Sequence, residues 1–129
     1  MPLPHLDVGR DLPVAPSIAW RLLADSRTWT SWGPSITAVD LDPPVVTTGA
    51  RGRLRSPLGV WLPFEITDVV PGTRWSWRVA GVPATGHRVE ATPTGCRVIF
   101  EVPTVAAPYA LVCRLALRRI AREVSAPDR

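Results

Sequence analysis

From Gly49 to Val102 the chain reads as one strand after another, and this run limits its architecture more than any other stretch. Arg51, Arg53 and Arg55 alternate with Gly52, Leu54 and Ser56; Val60, Leu62, Phe64 and Ile66 alternate with Trp61, Pro63, Glu65 and Thr67. Trp75, Trp77 and Val79 then oppose Arg74, Ser76 and Arg78. His87, Val89 and Ala91 oppose Arg88, Glu90 and Thr92, and Cys96, Val98, Phe100 and Val102 oppose Arg97, Ile99 and Glu101. Successive side chains of an extended chain point to opposite faces, so each run has one apolar and one polar side. The breaks at Pro57-Leu58-Gly59, Pro71-Gly72, Gly81-Val82-Pro83 and Thr94-Gly95 carry turn chemistry. Together these features predict an antiparallel meander wetted on one side. On that reading Glu65, Glu90 and Glu101 face solvent, and Arg–Glu pairs across the strands are exposed and individually weak.

The flanking segments supply what the sheet lies against. Residues 3 to 14 alternate as a strand ending at Pro13. Pro16 and Ser17 then open a helix with Ile18, Leu22 and Leu23 on its apolar face, and Asp25 or Ser26 caps a second short turn carrying Trp29 and Trp32. Gly33-Pro34 ends it. Ile36 to Leu41 alternates again, and residues 43 to 49 form a loop. From Pro108 to about Val124 a final helix is predicted: Tyr109, Val112, Cys113, Ala116, Leu117, Ile120 and Val124 share one side, while Arg114, Arg118 and Arg122 share the other. Ala126-Pro127 is expected to end it.

The 129 residues suit one domain, 1–129, with a single core. No apolar run approaches the roughly 20 residues of a membrane helix, and the first residues lack the basic start and apolar stretch of a signal peptide, so a cytoplasmic location is expected. The net charge of +4 comes from arginines spread over the whole chain and interleaved with Asp and Glu, without a basic cluster and stacking aromatics, so nucleic acid is not an expected partner. Cys96 on a strand and Cys113 on the returning helix are expected on the order of 20 Å apart, from rises of about 3.3 and 1.5 Å per residue, beyond the reach of a disulfide. Both are expected to be free, as in a reducing compartment.

Strand, two short helices, six strands and a long closing helix is the order of the helix-grip fold. The stretches LPVAPSIAWRLLADSRTWTSW, FEITDVVPGTRWSWRVAG and GHRVEATPTGCRVIF resemble the SRPBCC (START-like) superfamily, in its bacterial polyketide cyclase/dehydrase and lipid-transport branch. The resemblance implies an α+β fold, a curved seven-stranded antiparallel sheet wrapped around the C-terminal helix with two short helices between its first two strands. It also implies an apolar cavity between sheet and helix. Mapped onto the alternation, the lining is expected to be Leu54, Leu62, Phe64, Trp75, Trp77, His87, Val89, Val98 and Phe100 from the sheet, Tyr109, Val112, Cys113 and Ala116 from the helix, and Trp32 at the mouth.

Within this lining His87 is the candidate general base or ligand-orienting group, set against a histidine bonded to a backbone carbonyl. Tyr109 either aims its hydroxyl into the cavity or packs at the rim. Cys113 has no neighbouring base in the sequence pattern and reads as a core residue. No metal-ligand spacing, phosphate loop or Ser-His-Asp set is present, so no metal or cofactor is expected. The leading expectation is a carrier or sensor for a small hydrophobic or aromatic molecule, a lipid, polyketide or isoprenoid. Such a protein would act as a monomer or homodimer without inserting into a membrane. The alternatives are a cyclase or dehydrase using His87 with Tyr109 as orienting donor, and a protein-interaction module whose tryptophans fill the cavity and whose arginine face meets the partner. A structure in which Trp75 and Trp77 interlock with Phe64, Phe100 and the closing helix without a void would exclude the carrier.

Overall fold

The computed structural model describes residues 4–125. Along the chain come β1 (His5–Leu12), α1 (Pro16–Ala24), a 3-10 turn (Ser26–Thr28), α2 (Trp29–Trp32), β2 (Ala38–Asp40) and β3 (Arg51–Arg55). Then follow β4 (Trp61–Val70), β5 (Arg74–Val79), β6 (Val82–Thr92), β7 (Gly95–Pro103), a second 3-10 segment (Thr104–Tyr109) and α3 (Ala110–Ser125). The seven strands form one antiparallel sheet in the order β1-β7-β6-β5-β4-β3-β2. It is the helix-grip arrangement expected: a meander from β2 to β7, with β1 returning beside β7 in a register running from His5↔Pro103 to Leu12↔Cys96. α1 lies against β6 and β7, and α3 against β1, α1 and α2.

The core follows the alternation. Phe64, Ile66, Trp75, Trp77, Val89, Val98, Phe100 and Val102 are buried on one side of the sheet, and Cys113, Ala116, Leu117 and Ile120 of α3 close over it. Both cysteines are buried and free.

Four local expectations are corrected. The buried stripe of α1 is Ala19, Leu23 and Ala24, whereas Ile18 is 45% exposed: the helix is rotated one residue from the stripe read by side-chain size, because small Ala19 lets it approach the sheet. Val82 and Pro83 are not a break but the start of β6. Only Ala80 and Gly81 form the turn, both at positive φ, the signature of a type I′ hairpin. The helical path after β7 begins at Thr104 rather than at Pro108, with Ala106 outside helical dihedrals before α3 proper starts at Ala110. The stop at Ala126-Pro127 lies outside the described residues.

The fourth correction concerns Glu101, which is buried on the outer face of β7. Its carboxylate accepts from Arg74 Nη2 and Arg88 Nη1, each at 2.6 Å. Arg74 also reaches Asp68, and Arg88 reaches Asp7 and Glu90. The carboxylate lies over Gly86, where any Cβ would collide with it. Ile99 on the same outer face is buried as well, between strand neighbours Gly9 and Arg88. β7 is flanked by a strand on each side, so long arginine side chains from its neighbours cover a face that alternation alone assigns to water.

Candidate functional site: the cavity beside the tryptophan cluster

The C-terminal carbonyls of α1 have no partners within their own helix. Two of them are capped by tryptophans. Trp29 Nε1 and Trp75 Nε1 both donate to Leu23 O, at 2.9 and 3.2 Å, and Trp32 Nε1 donates to Leu22 O at 3.1 Å. Fixed by these bonds, the rings assemble a cluster. Trp29 stacks on Trp75 with centroids 5.3 Å apart, and Trp75 stacks on His87, its cross-strand neighbour, at 4.0 Å. Trp77 meets Trp29, Trp75 and Phe64 edge-on at 5.4, 5.2 and 5.2 Å, and Phe100 meets His87 edge-on at 5.0 Å.

His87 is wired into this cluster through both ring nitrogens. Nδ1 faces the Trp75 carbonyl at 3.3 Å, and because a carbonyl only accepts, Nδ1 carries the proton. Nε2 is therefore the acceptor, taking the hydroxyl hydrogen of Thr85 at 2.9 Å, while Thr85 Oγ1 accepts from Trp77 Nε1 at 3.2 Å. Burial drives the imidazole pKa down to about 3, against the upward pulls of the Trp75 carbonyl and Glu101, so the ring is neutral. Burial also pushes the Cys113 thiol up to about 12 and raises that of Cys96, leaving neither as a thiolate at neutral pH.

Next to the cluster the core is not filled. A half-open cavity of about 350 Å³ lies at the end of the sheet where the β3–β4 and β5–β6 hairpins meet the 3-10 segment before α3. Its walls are Ser35, Ile36, Leu54, Ser56, Pro57, Leu62, Trp77, Val79, Val82, Pro83, Ala84, Thr85, Val102, Pro103, Ala106 and Tyr109. None of these side chains is charged. A bulge shapes one wall: Ser76 pairs with Gly86 and Arg78 with Pro83, so Ala84 and Thr85 together oppose Trp77. Pro83 has no N–H to lose there. Four consecutive residues, Val82 to Thr85, thereby border the cavity. At the rim the hydroxyls of Ser35 and Tyr109 are 2.6 Å apart, joining the segment after α2 to the start of the closing helix.

Of the fourteen lining residues expected from sequence, Leu54, Leu62, Trp77 and Tyr109 border this cavity. Trp32, Trp75, His87, Phe100, Val112, Cys113 and Ala116 border a separate cleft of about 30 Å³, which Trp77 and Tyr109 also touch. Phe64, Val89 and Val98 are packed in the core and border neither. The shift has a physical cause. The stacked rings of Trp29, Trp75 and His87 occupy the space beneath α3, so the open volume lies beyond Trp77 and is bounded by the 3-10 segment instead of the helix body. Tyr109 is at the rim, 38% exposed. Thr85 was legible by carrying the parity of His87 back two residues; the bulge that adds Ala84 and Pro83 to the wall was not. Ser35 lies in the connection after α2, and Ile36 opens the alternating run of which only Ala38–Asp40 pairs as a strand.

The void bears on the filled-core alternative. Trp75 and Trp77 do interlock with Phe64, and the cavity stands beside them. The arginine face of β3 is partly neutralised: Arg53 lies 4.3 Å over the Trp61 ring and bonds Asp40 at 3.3 Å, and Arg51 is 3.9 Å from Glu65.

Comparison with known proteins agrees with this fold. A sequence profile of the family described as polyketide cyclase / dehydrase and lipid transport matches residues 4–125. The uncharacterized proteins Mb2604 of Mycobacterium bovis and Rv2574 of Mycobacterium tuberculosis are each 29% identical over 130 residues, covering 88% of this chain and 78% of theirs. The crystal structure of MLL2253 from Mesorhizobium loti superimposes with a TM-score of 0.78 at 15% identity, covering 98% of this chain and 100% of that one. The solution structure of the Aha1 dimer from Colwellia psychrerythraea gives 0.74 at 12% identity, with 96% and 98% covered. At these identities the structures share the fold alone.

Proposed function

We propose, starting from the fact that this chain belongs to the polyketide cyclase / dehydrase and lipid transport family of the SRPBCC superfamily, that it holds a small apolar or aromatic molecule in the cavity beside Trp77, as carrier or sensor. A lipid fragment, a polyketide or an isoprenoid-like molecule fits this description. The observation that carries the reading is the cavity itself. A core packed well enough to stack Trp29, Trp75 and His87 leaves about 350 Å³ empty within uncharged, largely apolar walls. That volume lies at the small end of the roughly 300–1,000 Å³ of ligand pockets. Binding is driven by desolvation, about 25 cal/mol per Å² of apolar surface removed from water. Trp77 borders the cavity and can meet a guest, whereas Trp75, 1% exposed and stacked between Trp29 and His87, does not.

The reading does not route chemistry through His87. Its proton serves the Trp75 carbonyl and its lone pair serves Thr85, which supports a role in fixing the cavity wall. No helix among the described residues is long and apolar enough to cross a membrane.

Native mass spectrometry of the freshly purified chain tests the proposal. A co-purifying mass that Ala106→Trp removes, with thermal stability retained, supports it, since an indole at Ala106 fills the mouth. A bare mass from cells and from lipid-supplemented lysate alike would count against it.

A further inference from the structure

We infer that the hydroxyl pair Ser35–Tyr109 is a polar anchor at the cavity rim, and that it selects an uncharged aromatic guest carrying a carbonyl over the matching carboxylate or hydrocarbon. The inference rests on the cavity being a binding site. Its basis is a count of hydrogens. Ser35 Oγ and Tyr109 OH are 2.6 Å apart, and neither has another protein partner among the described residues. Two hydroxyls carry two hydrogens, and their mutual bond uses one, whichever group donates. One O–H hydrogen is left over in either arrangement. Burial, ahead of the opposing Ser35 bond, raises the Tyr109 phenol, so it remains protonated at neutral pH.

The other polar group deep in the wall is committed differently. Thr85 spends its hydrogen on His87 Nε2 and accepts from Trp77. Ser56 Oγ in the β3–β4 turn accepts the Val60 N–H at 3.3 Å and keeps its own hydrogen, so it is the competing donor; with the anchor at the rim, Ser56→Ala should leave the ketone preference in place. No cationic side chain borders the cavity, so an ionised carboxylate would lose its water without gaining a counter-charge. A carbonyl keeps its acceptor bond at much smaller desolvation cost.

Three probes of nearly equal shape separate these effects: 2-acetylnaphthalene, 2-ethylnaphthalene and 2-naphthoate, titrated by isothermal calorimetry. The unaltered chain should bind the ketone about two- to tenfold more tightly than the ethyl compound, the span one net hydrogen bond gives. The carboxylate should bind at least about tenfold more weakly than the ketone. Each single variant, Tyr109→Phe or Ser35→Ala, keeps one hydroxyl hydrogen and so keeps most of the ketone preference. The double variant loses it, so that its affinities for 2-acetylnaphthalene and 2-ethylnaphthalene become equal. Equal affinity for ketone and ethyl compound overturns the anchor and leaves the cavity reading standing, as does carboxylate binding on a par with the ketone. Failure of all three probes to saturate overturns the cavity reading and the anchor with it. The wild-type comparison decides between these outcomes even if the double variant fails to fold.

Discussion

Leu23 O receives two indole N–H groups, and Leu22 O a third, so three tryptophans spend their polar atoms on the end of one short helix. Each ring is thus hydrogen-bonded as well as buried, the condition under which an indole stabilises a core. Trp29 is 1% exposed and stacked on Trp75. Trp29→Ala should cost about 3–5 kcal/mol, read from the urea midpoint, and Trp29→Phe distinctly less because the stack survives while the bond to Leu23 is lost. His87 makes a second prediction. Its folded pKa of about 3 lies below the ordinary value of 6.5, so below that value the unfolded chain takes up a proton the native ring does not. Stability should therefore fall as pH falls from about 6.5 towards 3, by up to about 1.4 kcal/mol per unit. His87→Gln, though less stable at pH 7, should flatten the slope between pH 6 and 5; an unchanged slope would assign the acid sensitivity elsewhere.

Among the elements, β5, β6, β7 and β1 are tied together on their outer face by Arg74, Arg88, Glu101 and Asp7. Burial pushes the Glu101 carboxyl upward, but its bonds to Arg74 and Arg88 outweigh this and hold it below the usual glutamate range. Its contribution is complete above the unfolded value of about 4.5 and is lost as pH falls through the lower folded value, a window more acidic than that of His87. Glu101→Ala should cost on the order of 3 kcal/mol, since two guanidinium groups lose their buried partner, with little sensitivity to added salt. The β5–β6 hairpin offers a change in the other direction. Ala80 holds φ 52° at a position that favours Asn or Gly. Ala80→Asn should raise stability by about 0.5–1 kcal/mol in thermal denaturation. Alternation placed Glu101 in solvent because parity reports the face of a strand and not what covers it. The hairpin was misplaced because Pro83 reads as a breaker unless a bulge is already known to receive it.

For the molecule as a whole, the meander was legible from its turns, and the inward set Phe64, Trp75, Trp77, His87, Val98 and Phe100 because period two fixes which side chains share a face; the place of β1 beside β7 is not written in either pattern. The position of the empty volume was not legible. It depends on how six indole and phenyl rings tile against α1, and tiling is decided by ring angles and by Leu23 O, neither of which is a sequence pattern. The outcome divides the interior into a filled half under α3 and an open half bounded by two hairpins and the 3-10 segment. The claim that the open half receives a guest is tested most directly by titrating the neutral, environment-sensitive dye prodan and following its emission. Saturable one-to-one binding with a blue shift, abolished in a folded Ala106→Trp variant, is the predicted result. Emission that rises without saturation, or that Ala106→Trp leaves unchanged, would contradict a binding cavity and place the dye on the surface.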